Sequence, residues 1–436
     1  MTTPEASTIF ALSSGQPPAA IAVMRLSGPM ALAAARAITT RDLPEPRKAA
    51  LRRFVDPDGG DIIDEGLLIT FPGPHTETGE DMVELHCHGS RAVVRGIEAV
   101  LGRLPGLRLA QPGEFTRRAF LNGKMDLAAI EGLGDLLAAE TALQRRAAMA
   151  MMGGALSRRI EGWTSALRRL AALVEAQLDF SDEGDVEGSL YTNGLGAPCR
   201  AIATEMAAEL AKPSADRLKD GVHVAIGGPP NAGKSSLFNA LIGRDAAIVS
   251  PIAGTTRDVI EASVALNGIP FVLSDSAGLR EASDAIERIG VDRAEALLAG
   301  ADIVLWLGAS EERPQGEAPV IQIRAKADLA GQPTDAAGES LSVSTVSGAG
   351  LDALVERLCE TARALLPMPG DYALSQRQRA VMARAAEALR EAADLSDDIL
   401  IGECLRVALT ALDELTGRAT TEAVLDELFS GFCIGK

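Results

Sequence analysis

Eight consecutive residues, Gly228-Pro229-Pro230-Asn231-Ala232-Gly233-Lys234-Ser235, constrain this chain more than any other stretch. They satisfy GxxxxGK[ST], a pattern whose chemistry depends on a strand before it and a helix after it. Val222-His223-Val224-Ala225-Ile226 reads as that strand, and Leu237, Phe238 and Leu241 mark the buried side of the helix. The middle of the chain is therefore expected to be an α/β domain. The loop's N–H groups and the helix N-terminus favour a β-phosphate, Lys234 can reach the β and γ oxygens, and the Ser235 hydroxyl can ligate Mg²⁺. Ser236 completes the turn.

Downstream stretches extend the pattern in order. Phe271-Val272-Leu273-Ser274-Asp275-Ser276-Ala277-Gly278 reads as a buried strand ending in DxxG. There Asp275 can hold Mg²⁺ through water, and the Gly278 N–H can sense a γ-phosphate. Between the two motifs, Ser250-Pro251-Ile252-Ala253-Gly254-Thr255-Thr256 occupies the place of a switch loop that supplies a threonine to Mg²⁺. Ala325-Lys326-Ala327-Asp328 resembles the guanine-reading NKxD element with Ala325 in place of Asn, and Asp328 retains the carboxylate for the guanine N1 and N2 protons. Ser344-Thr345-Val346-Ser347-Gly348-Ala349-Gly350 resembles the element that closes over the base, with Thr345 replacing Ala. GTP is expected over ATP. Losing the Asn amide should weaken base recognition by about 0.5–1.5 kcal/mol.

At 436 residues the chain is sized for roughly three domains. A composition 47% hydrophobic and 23% charged suits globular cores. Residues 1–119 mix short apolar stretches, such as Ile21-Ala22-Val23-Met24, with turn clusters such as Phe71-Pro72-Gly73-Pro74, which suits a small α+β domain. Leu156, Ile160, Trp163, Leu167, Leu170, Leu173, Val174 and Leu178 recur at three and four, predicting one face of a helix. Pro213-Ser214 and Pro367-Met368-Pro369-Gly370 are breaks. Helical periodicity resumes through Ile399, Leu400, Leu405, Leu409 and Leu412, stops near Gly417, and restarts after Thr420 and Thr421. The expected architecture is multidomain: an N-terminal α+β domain (1–119), an α-helical domain split in sequence (120–217 and 367–436), and an inserted α/β domain (218–366). Two separate helical domains are the alternative.

The five cysteines, Cys87, Cys199, Cys359, Cys404 and Cys433, include no CxxC pair, which argues for a reducing cytoplasm and against a disulfide framework. No basic residue precedes Arg25, and no apolar run nears the 20 or so residues of a bilayer span, so neither a secretory signal nor a membrane span is expected. His86-Cys87-His88 invites a zinc reading. It is weak, because alternate residues of a strand face opposite ways and no fourth ligand presents itself.

Together these residues resemble the tRNA-modifying GTPase family MnmE, also called TrmE, over nearly the whole chain. The resemblance rests also on Met24-Arg25-Leu26-Ser27-Gly28-Pro29, on residues 80–89 (EDMVELHCHG), on residues 113–127 (GEFTRRAFLNGKMDL), and on the terminal Phe432-Cys433-Ile434-Gly435-Lys436. It implies an N-terminal tetrahydrofolate-binding and dimerisation domain, a split helical domain and an inserted G domain. It further implies a homodimer that assembles with the FAD-containing MnmG (GidA) into a heterotetramer, FAD and NADH serving on that partner. The modification implied is a carboxymethylaminomethyl or aminomethyl group on C5 of wobble uridine in certain tRNAs, from 5,10-methylenetetrahydrofolate, for which 5-formyltetrahydrofolate is an analogue. Matching positions give Arg25, Glu84, Lys124 and Lys436 for folate, Ser235 and Thr256 for Mg²⁺, and Asn231, Ser250, Ile252 and Thr255 for K⁺. Glu287 matches the glutamate thought to orient the attacking water, and Cys433 is either a participant near the one-carbon unit or a packing residue.

A potassium ion also has a physical rationale. A GTPase without an arginine finger must set another cation against the charge developing between the β and γ phosphates. Arg257 is the competing candidate, with Asp258 and Glu261 available to pair with it instead.

The net charge of −18, from 42 basic and 60 acidic residues, opposes unassisted binding of a polyphosphate, and 3% aromatic content leaves few stacking platforms. Residues 1–119 carry only −1 of that total. A tRNA grip is therefore expected from a more basic partner or from a local patch on the N-terminal domain. Two other readings stand beside the main one: a ribosome-assembly or signalling GTPase sharing only the G domain, and a folate-responsive interaction protein with no modifying role.

Overall fold

The computed structural model describes residues 7–39, 41–180, 194–243, 260–275, 295–314, 316–329, 340–368, 371–419 and 421–435. They form two compact units, one from residues 1–130 with 416–436, the other from 131–415. The chain leaves the first unit within one helix and returns to it at the end of another.

The first unit is built on a six-stranded sheet. Its elements are β1 (Thr8–Leu12), β2 (Ile21–Ser27), α1 (Ala31–Ala37), β3 (Ala50–Val55), β4 (Ile62–Phe71), β5 (Met82–His88), α2 (Arg91–Arg103), β6 (Leu107–Leu109) and α3 (Glu114–Leu121). The strand order is β3-β4-β5-β2-β1-β6, antiparallel except for the β1–β6 pair. Alternation along β2 explains the layering: Ala22, Met24 and Leu26 are buried while Ile21 is exposed. The buried set meets Phe10, Phe54, Leu68 and Leu85 from neighbouring strands and Val94, Ile97 and Leu101 of α2. The Ser90 hydroxyl, accepting from the Val93 N–H, caps α2. The terminal helix Glu422–Ser430 also belongs here: Leu425 and Phe429 form one cluster with Leu127 and Ile130. Residues 416–436, expected as part of the second helical stretch 367–436, make their contacts within this unit.

The second unit combines helices with a second sheet. α4 (Leu127–Ala138) leads in, followed by α5 (Ala142–Met152), α6 (Ala155–Phe180), α7 (Gly196–Leu210) and α8 (Asp216–Lys219). Next come β7 (Val222–Gly227), α9 (Lys234–Ile242), β8 (Ile260–Leu266), β9 (Ile269–Asp275), β10 (Ile303–Trp306), β11 (Val320–Arg324), β12 (Leu341–Ser342), α10 (Leu351–Leu365), α11 (Gln376–Asp394) and α12 (Asp398–Thr416). The sheet order is β12-β11-β10-β7-β9-β8, with only β8 antiparallel to its neighbour. Val224, Ile226, Leu273, Leu305 and Ile323 of the strands share one core with Leu237 and Leu241 of α9 and Leu354 and Leu358 of α10.

Helices from before and after this sheet in sequence pack directly on each other. Arg200 of α7 donates to the Ala393 carbonyl at the end of α11 (3.1 Å), Arg379 of α11 donates to the Lys212 carbonyl (3.0 Å), and the Tyr372 hydroxyl donates to Glu209 (2.9 Å). On α6 the predicted stripe is buried at Leu156, Ile160, Trp163, Leu167, Leu170 and Val174, but Leu173 and Leu178 are exposed. Ile399 and Leu400 of α12 are exposed as well. Among the described residues no helix is long and apolar enough to cross a membrane.

Candidate functional site

Residues 228–233 leave β7 and turn directly into α9. Gly233, at the N-cap of α9, has φ +103°, a left-handed conformation that costs glycine nothing and any side chain something. The buried Lys234 donates from Nζ to the Gly228 and Pro229 carbonyls (3.0 and 2.9 Å), which keeps its ammonium within the loop. The Ser235 hydroxyl donates to Asp275 Oδ2 at 2.6 Å, and Asp275 is buried at the end of β9. Two hard oxygen donors thus stand side by side at the start of α9, a donor set that fits Mg²⁺. Parallel pairing of β7 with β9, Ile226 opposite Asp275, produces this meeting of residues 40 apart.

The segments expected to read the base lie against the same loop. Lys326, itself at φ +60°, donates from Nζ to the Asn231 carbonyl (2.8 Å). Ala325 lies beside the loop, since a β-carbon built on Gly233 would sit 3.6 Å from the Ala325 methyl. The buried Ser344 hydroxyl donates to Asp328 Oδ1 at 2.6 Å and accepts from the Ser347 N–H at 3.1 Å. That hydrogen bond holds the Asp328 carboxyl below the usual carboxylate range, so at neutral pH it is an acceptor-only group. Thr345 follows, half-buried, in the same turn.

A second polar cluster lies in the first unit. β2 pairs with β5 so that Arg25 stands opposite Glu84. Arg25 donates to Glu84 Oε1 from Nε (3.2 Å) and Nη2 (2.9 Å), and from Nη1 to Glu77 Oε2 (2.7 Å). His86 Nε2 lies 3.2 Å from Glu84 Oε2. Glu77 belongs to the 72–81 connection between β4 and β5, which is anchored from below. The buried Arg118 binds Glu80 (3.0 Å) and Glu114 (3.1 Å), and Asn122 donates to the Thr78 carbonyl (2.7 Å). The exposed Lys124 rests its stem on the same connection, for a β-carbon on Gly79 would lie 3.0 Å from Lys124 Cε.

Residues 8–124 match the family described as GTP-binding protein TrmE N-terminus, and residues 127–433 match the MnmE helical domain. The tRNA modification GTPase MnmE of Rhizorhabdus wittichii is 54% identical over 431 residues, covering 98% of this chain and 96% of that one. The protein of the same name from Erythrobacter litoralis is 53% identical, covering 98% of this chain and all of that one. That from Zymomonas mobilis is 47% identical at the same coverage. The chain belongs to the MnmE family of tRNA modification GTPases.

Within that family frame, the expected nucleotide, ion and tail residues divide by whether the structure describes them. Asn231, Ala232, Gly233, Lys234, Ser235, Ser236, Asp275, Lys326, Asp328, Ser344 and Thr345 lie on the loop or on the segments just described. Ser250, Pro251, Ile252, Ala253, Gly254, Thr255, Thr256, Ser276, Ala277, Gly278, Glu287, Arg257 and Lys436 lie outside the described residues. The terminal tail is described up to its penultimate residue. The Ser13 hydroxyl donates to the Gly435 carbonyl (2.8 Å), Ile434 bridges Pro112, and Cys433 is exposed. Gly435 therefore sits by the end of β1, whose Leu12 pairs with Met24, the neighbour of Arg25.

Cys87 faces away from both histidines that flank it. It is buried, with its thiol on the Ala22 carbonyl (3.5 Å), and burial pushes its pKa up to about 11. His88 instead pairs with Asp64 (2.8 Å), and among the described residues no group of three or more His, Cys, Asp or Glu is arranged to hold a metal. Sequence reading did not single out Glu77 or His86 for the Arg25 cluster. The signal for His86 was present: Glu84 and His86, two apart on a strand, share a face.

Proposed function

We propose that this chain hydrolyses GTP and, with an FAD-containing partner of the MnmG kind, takes part in adding a carboxymethylaminomethyl or aminomethyl group to C5 of wobble uridine in tRNA. Family membership over almost the full length, joined to the hydrogen-bonded meeting of Lys234, Ser235 and Asp275, carries this reading. In it, Lys234 opposes charge on the β and γ phosphoryl oxygens, and Ser235 with Thr256 holds Mg²⁺, which neutralises those oxygens when bound. Asp275 orients the Ser235 side of that site, and Asp328 takes the guanine N1 and N2 protons. Glu287 positions the attacking water. Asn231, Ser250, Ile252 and Thr255 offer oxygens to K⁺, brought into play when two G domains meet.

The same proposal makes residues 218–366 a G domain inserted in a helical domain split into 120–217 and 367–436. The packing of α7 on α11 favours it, as does a helical-family match that spans both sides of the sheet. Arg25, Glu84, Lys124 and Lys436 bind a tetrahydrofolate one-carbon donor. A carboxylate flanked by a guanidinium suits the aminopyrimidinone edge of a pterin, and cations suit its anionic tail. Homodimerisation, cytoplasmic location, and tRNA binding that is weak without the partner belong to the same reading.

The test is nucleoside mass spectrometry of tRNA from a deletion strain carrying either the wild-type chain or Lys234→Ala. Restoration of the modified wobble uridine by the wild type alone is expected, and unchanged uridine in the deletion strain would end the proposal. GTP turnover of the wild type in K⁺ should exceed that in Na⁺, and equal rates would remove the ion.

A further inference from the structure

Glu84 is held by both of its oxygens. Oε1 accepts from Arg25 Nε and Nη2, and Oε2 lies 3.2 Å from His86 Nε2. A carboxylate only accepts hydrogen bonds, so this contact requires the proton on Nε2. The register places His86 opposite Val23 of β2 and Leu67 of β4, apolar cross-strand neighbours on the same face. The side chains of Glu84, Arg25 and His86 retain 17%, 20% and 28% of their accessibility, so the cluster is set into the sheet face yet open to a ligand.

A glutamate on a strand normally rotates freely about its last bond. With one oxygen pinned by Arg25 alone, the carboxylate plane could still swing. With both pinned, the plane is fixed; Oε1 is filled by its two Arg25 donors, and Oε2 keeps one lone pair for a further donor. Such a group offers one in-plane acceptor position in a fixed orientation, which suits an N–H on the edge of a flat ligand lying in the same plane.

We propose that His86 is a positioning residue, fixing the Glu84 carboxylate so that Oε2 accepts an N–H from the edge of a planar amino-heterocycle. It acts through Glu84 and does not itself touch the ligand. The assignment rests on the folate reading of this site and adds to it the residue that sets the orientation.

The experiment is titration of the full-length protein with 5-formyltetrahydrofolate, comparing wild type, His86→Gln and His86→Leu. Glutamine can donate an N–H over similar reach, and leucine fills the position without a donor. His86→Leu should bind about tenfold more weakly, and His86→Gln within about twofold of wild type. The thermal unfolding profile and hydrogen–deuterium exchange of the β2 and β5 peptides report that the unit carrying each variant is folded. Equal binding by the leucine variant overturns the inference, as does equal weakness of both variants, which would assign His86 a packing role. No binding by the wild type overturns the folate reading itself.

Discussion

Replacing Gly435 by alanine should release the tail that seats the last residues of the chain. Gly435 has φ +97°, where an L-residue costs about 1–2 kcal/mol. A β-carbon there would lie 2.2 Å from the Leu12 carbonyl oxygen, well inside the 3.0 Å that real contacts respect. Both atoms belong to backbone, so the clash is relieved only by moving the tail off β1. That movement breaks the Ser13–Gly435 bond at 2.8 Å and the Ile434–Pro112 bridge, worth about 1 kcal/mol each. The φ penalty alone corresponds to a loss of about five- to thirtyfold in the docked population, and the clash in the docked state adds to it. Hydrogen–deuterium exchange on the full chain reads this directly. The peptide spanning 431–436 should exchange much faster in Gly435→Ala, while peptides from β2 and β5 keep their protection. Lys436→Ala should leave tail protection unchanged, and both variants should bind 5-formyltetrahydrofolate less well. Unaltered protection of the tail in Gly435→Ala would refute the reasoning.

Ala325→Asn should raise GTP affinity roughly two- to tenfold by supplying the amide that the base-reading element lacks, and a competition titration measures it. Glu114→Gln should change the acid limb of the stability curve. Burial alone would push the Glu114 carboxyl up, but the hydrogen bonds from Arg108 and the Gln111 N–H, with the charges of Arg108 and Arg118, hold it below its ordinary 4.5. A depressed carboxylate contributes stability that is fully present above its unfolded pKa and is lost as pH falls through the folded one. The variant should therefore be less stable by about 3 kcal/mol at pH 7 and show a shallower decline below about pH 4.5, followed by denaturant unfolding at several pH values.

The local geometry of the candidate nucleotide loop was legible because its residues sit in short contiguous stretches. The strand–loop–helix at 222–242 and the strand ending at Asp275 are contiguous signals. That Lys326 would bond the Asn231 carbonyl, 95 residues away, was not legible; it follows from β10 and β7 lying side by side between β11 and β9. Arg25 and Glu84 are separated by 59 residues, and only the β2–β5 register makes them partners. Period-3.6 reasoning also overran at Leu173 and Ile399, because a helix's apolar stripe is as wide as whatever covers it, and the sequence of one helix does not specify its cover.

The bond from Ser13 to Gly435 joins residues 422 apart. At translation rates of about 5–20 residues per second, on the order of 20–80 s separate the emergence of one partner from that of the other. Throughout that interval the corner around Ser13, Pro112 and Gly113 waits with its tail contacts unmade. The sheet behind it has its own core and can assemble early, whereas this corner is finished only once residues 433–435 have been made. A nascent chain thus carries the first unit with this corner open until synthesis has passed residue 435.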